Sequence, residues 1–101
     1  MDIEFLKPVK IGYTIYGKSG CPGCTKAKKF LTSVNAAATV IDCDEYLIEC
    51  KSDFLIFIEG IVGKQVKTFP MIFYEGEFVG GYDEVEKHYN MFSAFSNNTY
   101  F

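Results

Sequence analysis

Hydrophobic positions along the chain change period several times, and each change marks an element. Residues 11–17 place Ile11, Tyr13 and Ile15 on one side, the two-residue repeat of a strand in a buried sheet. From residue 27 the spacing becomes helical: Ala27, Phe30, Leu31 and Val34 form one apolar stripe suited to packing on that sheet. Thr39–Cys43 predicts a second short strand. Phe54, Phe57, Ile58 and Ile61 repeat the helical spacing, with Ser52 or Asp53 available to cap the start and Gly60 and Gly63 to end it. Residues 45–50 are too short a pattern to assign beyond a turn of helix. Phe69–Tyr74 reads as a strand, Glu75-Gly76 as a turn, and Glu77–Gly80 as an antiparallel return. A last helix is predicted from about Asp83 to Phe95, burying Val85, His88, Tyr89 and Phe92.

The order is strand, helix, strand, helix, strand, strand, helix. It predicts an α/β fold in which a parallel βαβ half and a ββα half share one mixed, four-stranded central sheet flanked by helices. Neither a repeat nor a linker interrupts it, and 101 residues suffice for one core, so residues 1–101 are expected to form a single domain. Hydrophobic residues make up 49% of the chain, which argues against disorder.

The candidate chemistry lies between the first strand and the first helix, where residues 18–24 read Lys-Ser-Gly-Cys-Pro-Gly-Cys. Pro22 suits the first helical position, which puts Cys21 at a helix N-terminus, where unpaired N–H groups and the macrodipole favour a thiolate. Its pKa is expected below the free-thiol value of about 8.5. Cys24, one turn on, comes within disulfide reach of Cys21 and can resolve a mixed disulfide formed there. A C-x-x-C pair beside a βαβ pattern points to the thioredoxin-like fold.

Charge is unevenly spread. Residues 1–40 carry six Lys against Asp2 and Glu4, whereas residues 41–101 carry four Lys against eleven acids. The cysteine end is the positive end, which favours thiolate and an anionic thiol substrate, although Lys26, Lys28 and Lys29 read equally well as a solvated helix face. The overall charge of −3 gives no nucleic-acid footprint. Neither a signal peptide nor a membrane span is read from the N-terminus, so a cytoplasmic location is expected, in which thiols stay reduced and a C-x-x-C pair serves catalysis or metal binding rather than stapling.

Three blocks taken together resemble the glutaredoxin family: Tyr16-Gly-Lys-Ser-Gly-Cys-Pro-Gly-Cys24, Thr68-Phe-Pro70 and Gly80-Gly-Tyr-Asp-Glu84. The last two are also similar in wording to glutaredoxins of large DNA viruses. The resemblance implies that Cys21 attacks protein–glutathione mixed disulfides or protein disulfides and that Cys24 resolves the dithiol route. It implies a cis bond before Pro70, with the backbone of Phe69 beside Thr68 pairing with peptide-like glutathione. Gly81, Tyr82 and Asp83 would receive the γ-glutamyl end, and Lys18 and Lys67 the glycyl carboxylate. Glutathione is then a co-substrate and no metal is expected. The implied partners are glutathione and disulfide-bearing or glutathionylated proteins, with neither nucleic acid nor membrane, and the protein would act as a monomer.

Two positions depart from the family pattern. Gly23 stands where glutaredoxins commonly carry Tyr or Phe, which predicts a more open Cys24, and Phe69 replaces the usual Val and could partly refill the groove. An iron–sulfur cluster held through Cys21 and external glutathione is the alternative function, which Pro22 disfavours by stiffening the loop. A zinc site using Cys43 and Cys50 would need six intervening residues, more than the usual spacing. Cys43 and Cys50 read as small buried hydrophobes unless exposed, when either could be oxidised. His88 reads as a packed helix residue.

Overall fold

Strand β1 (Tyr13–Gly17) is buried along its whole length and organises the rest of the computed structural model, which describes residues 3–97, with side chains described as far as Ser93. On one face of the sheet Tyr13 and Ile15 join Ala27, Leu31, Ile72 and Val85. On the other, Tyr16 joins Ile41, Phe54, Ile58, Met71 and Phe73. Successive strand residues point to opposite faces, so β1 carries hydrophobic residues on both and contributes to both halves of the core.

Around it follow α1 (Pro22–Ser33), β2 (Ala38–Asp42), α2 (Asp44–Glu49), α3 (Lys51–Val62), β3 (Met71–Tyr74), β4 (Glu77–Gly80) and α4 (Tyr82–Asn97). The sheet order is β2-β1-β3-β4. β1 pairs parallel with β2 and antiparallel with β3, and β3 pairs antiparallel with β4. The sheet is therefore mixed and four-stranded, with α1 and α4 on one face and α2 and α3 on the other, the expected α/β arrangement.

Several local expectations are corrected. Ile11 precedes β1 and is 80% exposed rather than buried, because the chain turns at Gly12 before entering the sheet. The undecided 45–50 segment is the short helix α2. Ser52 and Asp53 do not cap α3: the helix starts at Lys51, Cys50 holds the cap position without a side-chain hydrogen bond, and both polar residues lie in the first turn. Gly60 stays inside α3, while Gly63 ends it with φ +92°, a left-handed conformation that glycine adopts without steric cost. Ile61 is exposed, and Phe92 on α4 is half exposed. Phe69 and Pro70 lie before β3 rather than in it, and α4 begins at Tyr82, one residue ahead of the expected start.

Among the described residues no buried side-chain nitrogen or oxygen lacks a hydrogen-bond partner. The Tyr16 hydroxyl donates to the Leu6 carbonyl at 2.7 Å, the Tyr46 oxygen accepts the Leu6 N–H, and Thr14 Oγ1 accepts the Val9 N–H. These bonds pin the segment before β1 across the core. Tyr13 and His88 share a 2.7 Å hydrogen bond between their side chains, which explains a histidine on the inner face of α4.

Candidate active site

α1 begins where the sequence requires it to. Pro22 occupies the first helical position, where its missing N–H costs nothing, and Cys21 is the N-cap with extended backbone (φ −116°, ψ 99°). The backbone N–H of Cys24 is shared between the Cys21 carbonyl oxygen at 3.1 Å and the Cys21 Sγ at 3.2 Å, so a first-turn donor of the helix reaches the sulfur. Cys21 and Cys24 are joined as a disulfide with Cα atoms 5.3 Å apart. Cys21 is half-buried at the surface end of the pair, and Cys24 is buried beneath it at 2% exposure.

Cys24 is not opened by the glycine before it. Gly23 lies against Pro70, where an added Cβ would stand 3.1 Å from the proline Cδ, and the Cys24 sulfur lies against Gly17 on its other side. The Phe69–Pro70 bond is cis, as expected. Gly81 follows on: a Cβ there would lie 3.7 Å from the Pro70 carbonyl oxygen. Gly23, Pro70 and Gly81 thus bring the three sequence blocks into contact at one edge of the dithiol.

Charged and aromatic groups flank this edge. Lys18 holds its Nζ 5.7 Å from the centre of the Phe69 ring, and that ring stacks on Phe54 at 6.3 Å. Phe69 is therefore turned towards the core and carries Lys18 on its outer face, instead of replacing a ring at position 23. Lys26 places its Nζ 5.9 Å from the centre of the Tyr82 ring. A cleft of about 260 Å³ opens on the other side of the dithiol, bordered by Gly17, Lys18, Cys24, Lys28, Val40 and Asp42.

The corner before α4 is closed by Glu84, which the sequence reading passed over. Its Oε1 accepts the Gly81 N–H at 2.8 Å, the return half of a capping box recognisable from the three-residue spacing. Gly80 makes room for it: with φ +132°, a Cβ there would meet Glu84 Cγ at 2.7 Å. One of the donors expected for a ligand carboxylate is thus occupied, leaving those of Tyr82 and Asp83 in the first turn. Burial pushes the Tyr82 phenol up, and the nearby Glu86 carboxylate adds to it. Lys67 lines a separate groove with Leu55, Ile56 and Glu59 of α3, away from the residues that border the dithiol cleft. Thr68 is exposed beside Phe69.

The other two cysteines stay apart from this chemistry. Cys43 is fully buried at the start of α2, and burial, with the charges of Asp42 and Asp44 adding, pushes its thiol up to about 12. Such a thiol is inert at neutral pH. Cys50, half-buried between α2 and α3, is also raised, by desolvation first and then by the carboxylates of Asp53, Glu49 and Glu45.

A family model described as Glutaredoxin matches residues 13–79, from the start of β1 into β4. The chain belongs to the glutaredoxin family. It is 28% identical over 74 residues to the glutaredoxin of Vibrio cholerae, a match covering 73% of this chain and 85% of that protein. Human mitochondrial glutaredoxin-2 is 34% identical over 67 residues, 66% of this chain but only 38% of the longer relative. The matched stretch also spans 64% of glutaredoxin-2 of Schizosaccharomyces pombe, just under two thirds of its length. Among solved structures, glutaredoxin 1 of Francisella tularensis superposes with a TM-score of 0.69 at 28% identity, covering 81% of this chain and 95% of that one. A buckwheat glutaredoxin–glutathione complex gives 0.60 at 26% identity, with 77% of this chain and 68% of that chain covered. The glutaredoxin sheet, the helix-capping cysteine and the paired thiols together make this a thiol–disulfide oxidoreductase of thioredoxin-like fold. No helix among the described residues is long and apolar enough to cross a membrane.

Proposed function

We propose that this glutaredoxin reduces protein–glutathione mixed disulfides and protein disulfides with glutathione as electron donor, through Cys21 and Cys24. The observation that carries the reading is the Cys21 sulfur: half-exposed, at the first turn of α1, and accepting a backbone N–H that would stabilise its thiolate. In the monothiol route the Cys21 thiolate attacks the glutathione sulfur of the mixed disulfide. That S–S bond breaks, and the protein thiolate leaves and takes a proton from water. The thiolate of a second glutathione then attacks Cys21–glutathione, releasing glutathione disulfide and restoring the Cys21 thiolate.

In the dithiol route Cys21 attacks a protein disulfide, and Cys24 loses its proton and displaces the substrate sulfur from Cys21. This leaves a Cys21–Cys24 bond, which two glutathiones reduce in turn. Phe69 backbone groups would pair with glutathione beside Thr68 and Pro70, and Lys18 would meet the glycyl carboxylate. The N–H groups of Tyr82 and Asp83 would meet the γ-glutamyl carboxylate at the positive end of α4, with the Asp83 carboxylate at the amine. Gly81 would frame that corner rather than donate to it. Lys67 would act from the rim. The enzyme would act as a monomer in a reducing compartment such as the cytoplasm.

The test is turnover of a small glutathione mixed disulfide with glutathione, glutathione reductase and NADPH. Cys21-dependent turnover is expected. A wild-type protein with intact thiols and no turnover would refute the glutathione-linked reading.

A further inference from the structure

The loop carrying Lys18 and Cys21 is fastened to the corner where β2 turns into α2. The Cys43 backbone N–H donates to the Gly17 carbonyl at 2.8 Å and holds the start of the loop. Two residues after Gly17, Ser19 gives both of its donors to the Asp44 carboxylate: Oδ1 accepts the backbone N–H at 2.9 Å, and Oδ2 accepts the hydroxyl at 2.5 Å. The corner is built to present that carboxylate, because the N–H of Asp44 donates in turn to Asp42 Oδ1 at 2.9 Å. The two bonds from Ser19 hold the Asp44 carboxyl below the usual carboxylate range, with the nearby Lys18 ammonium adding to the effect. It is therefore ionised while the enzyme works, and its bonds to Ser19 are charge-assisted.

Ser19 stands between the two groups that matter. Immediately before it, Lys18 is set over the Phe69 ring. Immediately after it, Gly20 takes a left-handed turn (φ +69°) into Cys21. A carboxylate gripping the backbone N–H and the side chain of one residue fixes the chain on both sides of it, far more tightly than a single surface bond would. Among the described residues, Lys18, exposed and long, otherwise has only the ring of Phe69 to hold it.

We propose that Asp44 is a positioning residue for the anion-binding side of the site: by clamping Ser19 it sets where Lys18 stands, and so governs recognition of the carboxylate-bearing thiol substrate. The proposal rests on the glutathione-linked reading given above. Asp44 does not act by its charge on the substrate, since a carboxylate close to Lys18 would weaken, not strengthen, anion binding.

A double-mutant cycle on the full chain tests it, with a glutathione mixed disulfide of a small neutral thiol as substrate. Asp44→Ala is expected to raise KM about fivefold with kcat within about twofold, the signature of lost ground-state binding. In a Lys18→Gln background the same replacement should change KM by less than about twofold, because nothing remains to be positioned. An unchanged KM in Asp44→Ala would overturn the proposal. So would an undiminished effect in the Lys18→Gln background, which would mean general loosening of the loop. If Asp44→Ala does not fold, Ser19→Ala removes only the hydroxyl bond and completes the same cycle with a change of about twofold; additivity with Lys18→Gln there overturns the proposal equally. Wild-type protein without turnover would instead refute the functional reading, and the positioning role with it.

Discussion

The ring of Pro70 covers the α-carbon of Gly23 so closely that a single added methyl group would stand 3.1 Å from Cδ. Gly23→Ala gains about 1 kcal/mol of helix propensity but must displace Pro70 by a few tenths of an ångström. Urea unfolding should show a net stability change below about 0.5 kcal/mol, with the crowding offsetting the helix gain.

The two cysteines should separate on mutation. Cys21→Ser is expected to abolish all turnover. Cys24→Ser should retain turnover of small glutathione mixed disulfides and lose reduction of protein disulfides, because only the second route needs an internal resolving thiol. Equal loss of both activities in Cys24→Ser, measured side by side, would contradict the assigned roles.

Alkali should destabilise the fold through Cys43. Its thiol is raised in the folded state from 9.0 to about 12, chiefly by burial, so between these values the unfolded chain releases a proton that the folded protein keeps. Stability contributed by the protonated thiol is complete below pH 9 and falls as pH rises towards about 12. Denaturant midpoints should decline across that window, with a shallower decline in Cys43→Ala. Tyr13, raised from 10.0 to about 12 by burial and the neighbouring tyrosines, acts in the same direction in both proteins.

Phe54 links the core to the site. Fully buried on α3, it stacks on Phe69, whose outer face carries Lys18. Phe54→Ala is expected to cost about 3–5 kcal/mol in chemical denaturation. Phe54→Leu, which keeps the core filled, should preserve most of the stability while raising KM for a glutathione substrate. A Leu variant with unchanged KM would show that Phe69 holds Lys18 without support from below.

The sheet and its helices were legible because the alternation in β1, the period-3.6 stripes of α1 and α3 and the short apolar run of β3 each report burial. The pattern misled where local geometry intervenes. Ile11 continues the alternation but lies beyond the turn at Gly12, and Ser52 and Asp53 look like caps although α3 already begins at Lys51. Within the site, Cys21 and Cys24 were evident from spacing, and Pro70 and Gly81 from their blocks. The contact of Lys26 with Tyr82 and the Ser19–Asp44 clamp were not, because each depends on pairing between segments that no spacing along one stretch records. Glu84 alone left a local trace, three residues after Gly81.

The most direct measurement is to treat Cys24→Ser with glutathione disulfide and map the product by mass spectrometry. The Cys21 thiolate should attack one sulfur, release the other glutathione as thiolate, and retain a single glutathionyl group on Cys21 that added glutathione removes. Modification of Cys50 or Cys43 with Cys21 left free would contradict the account.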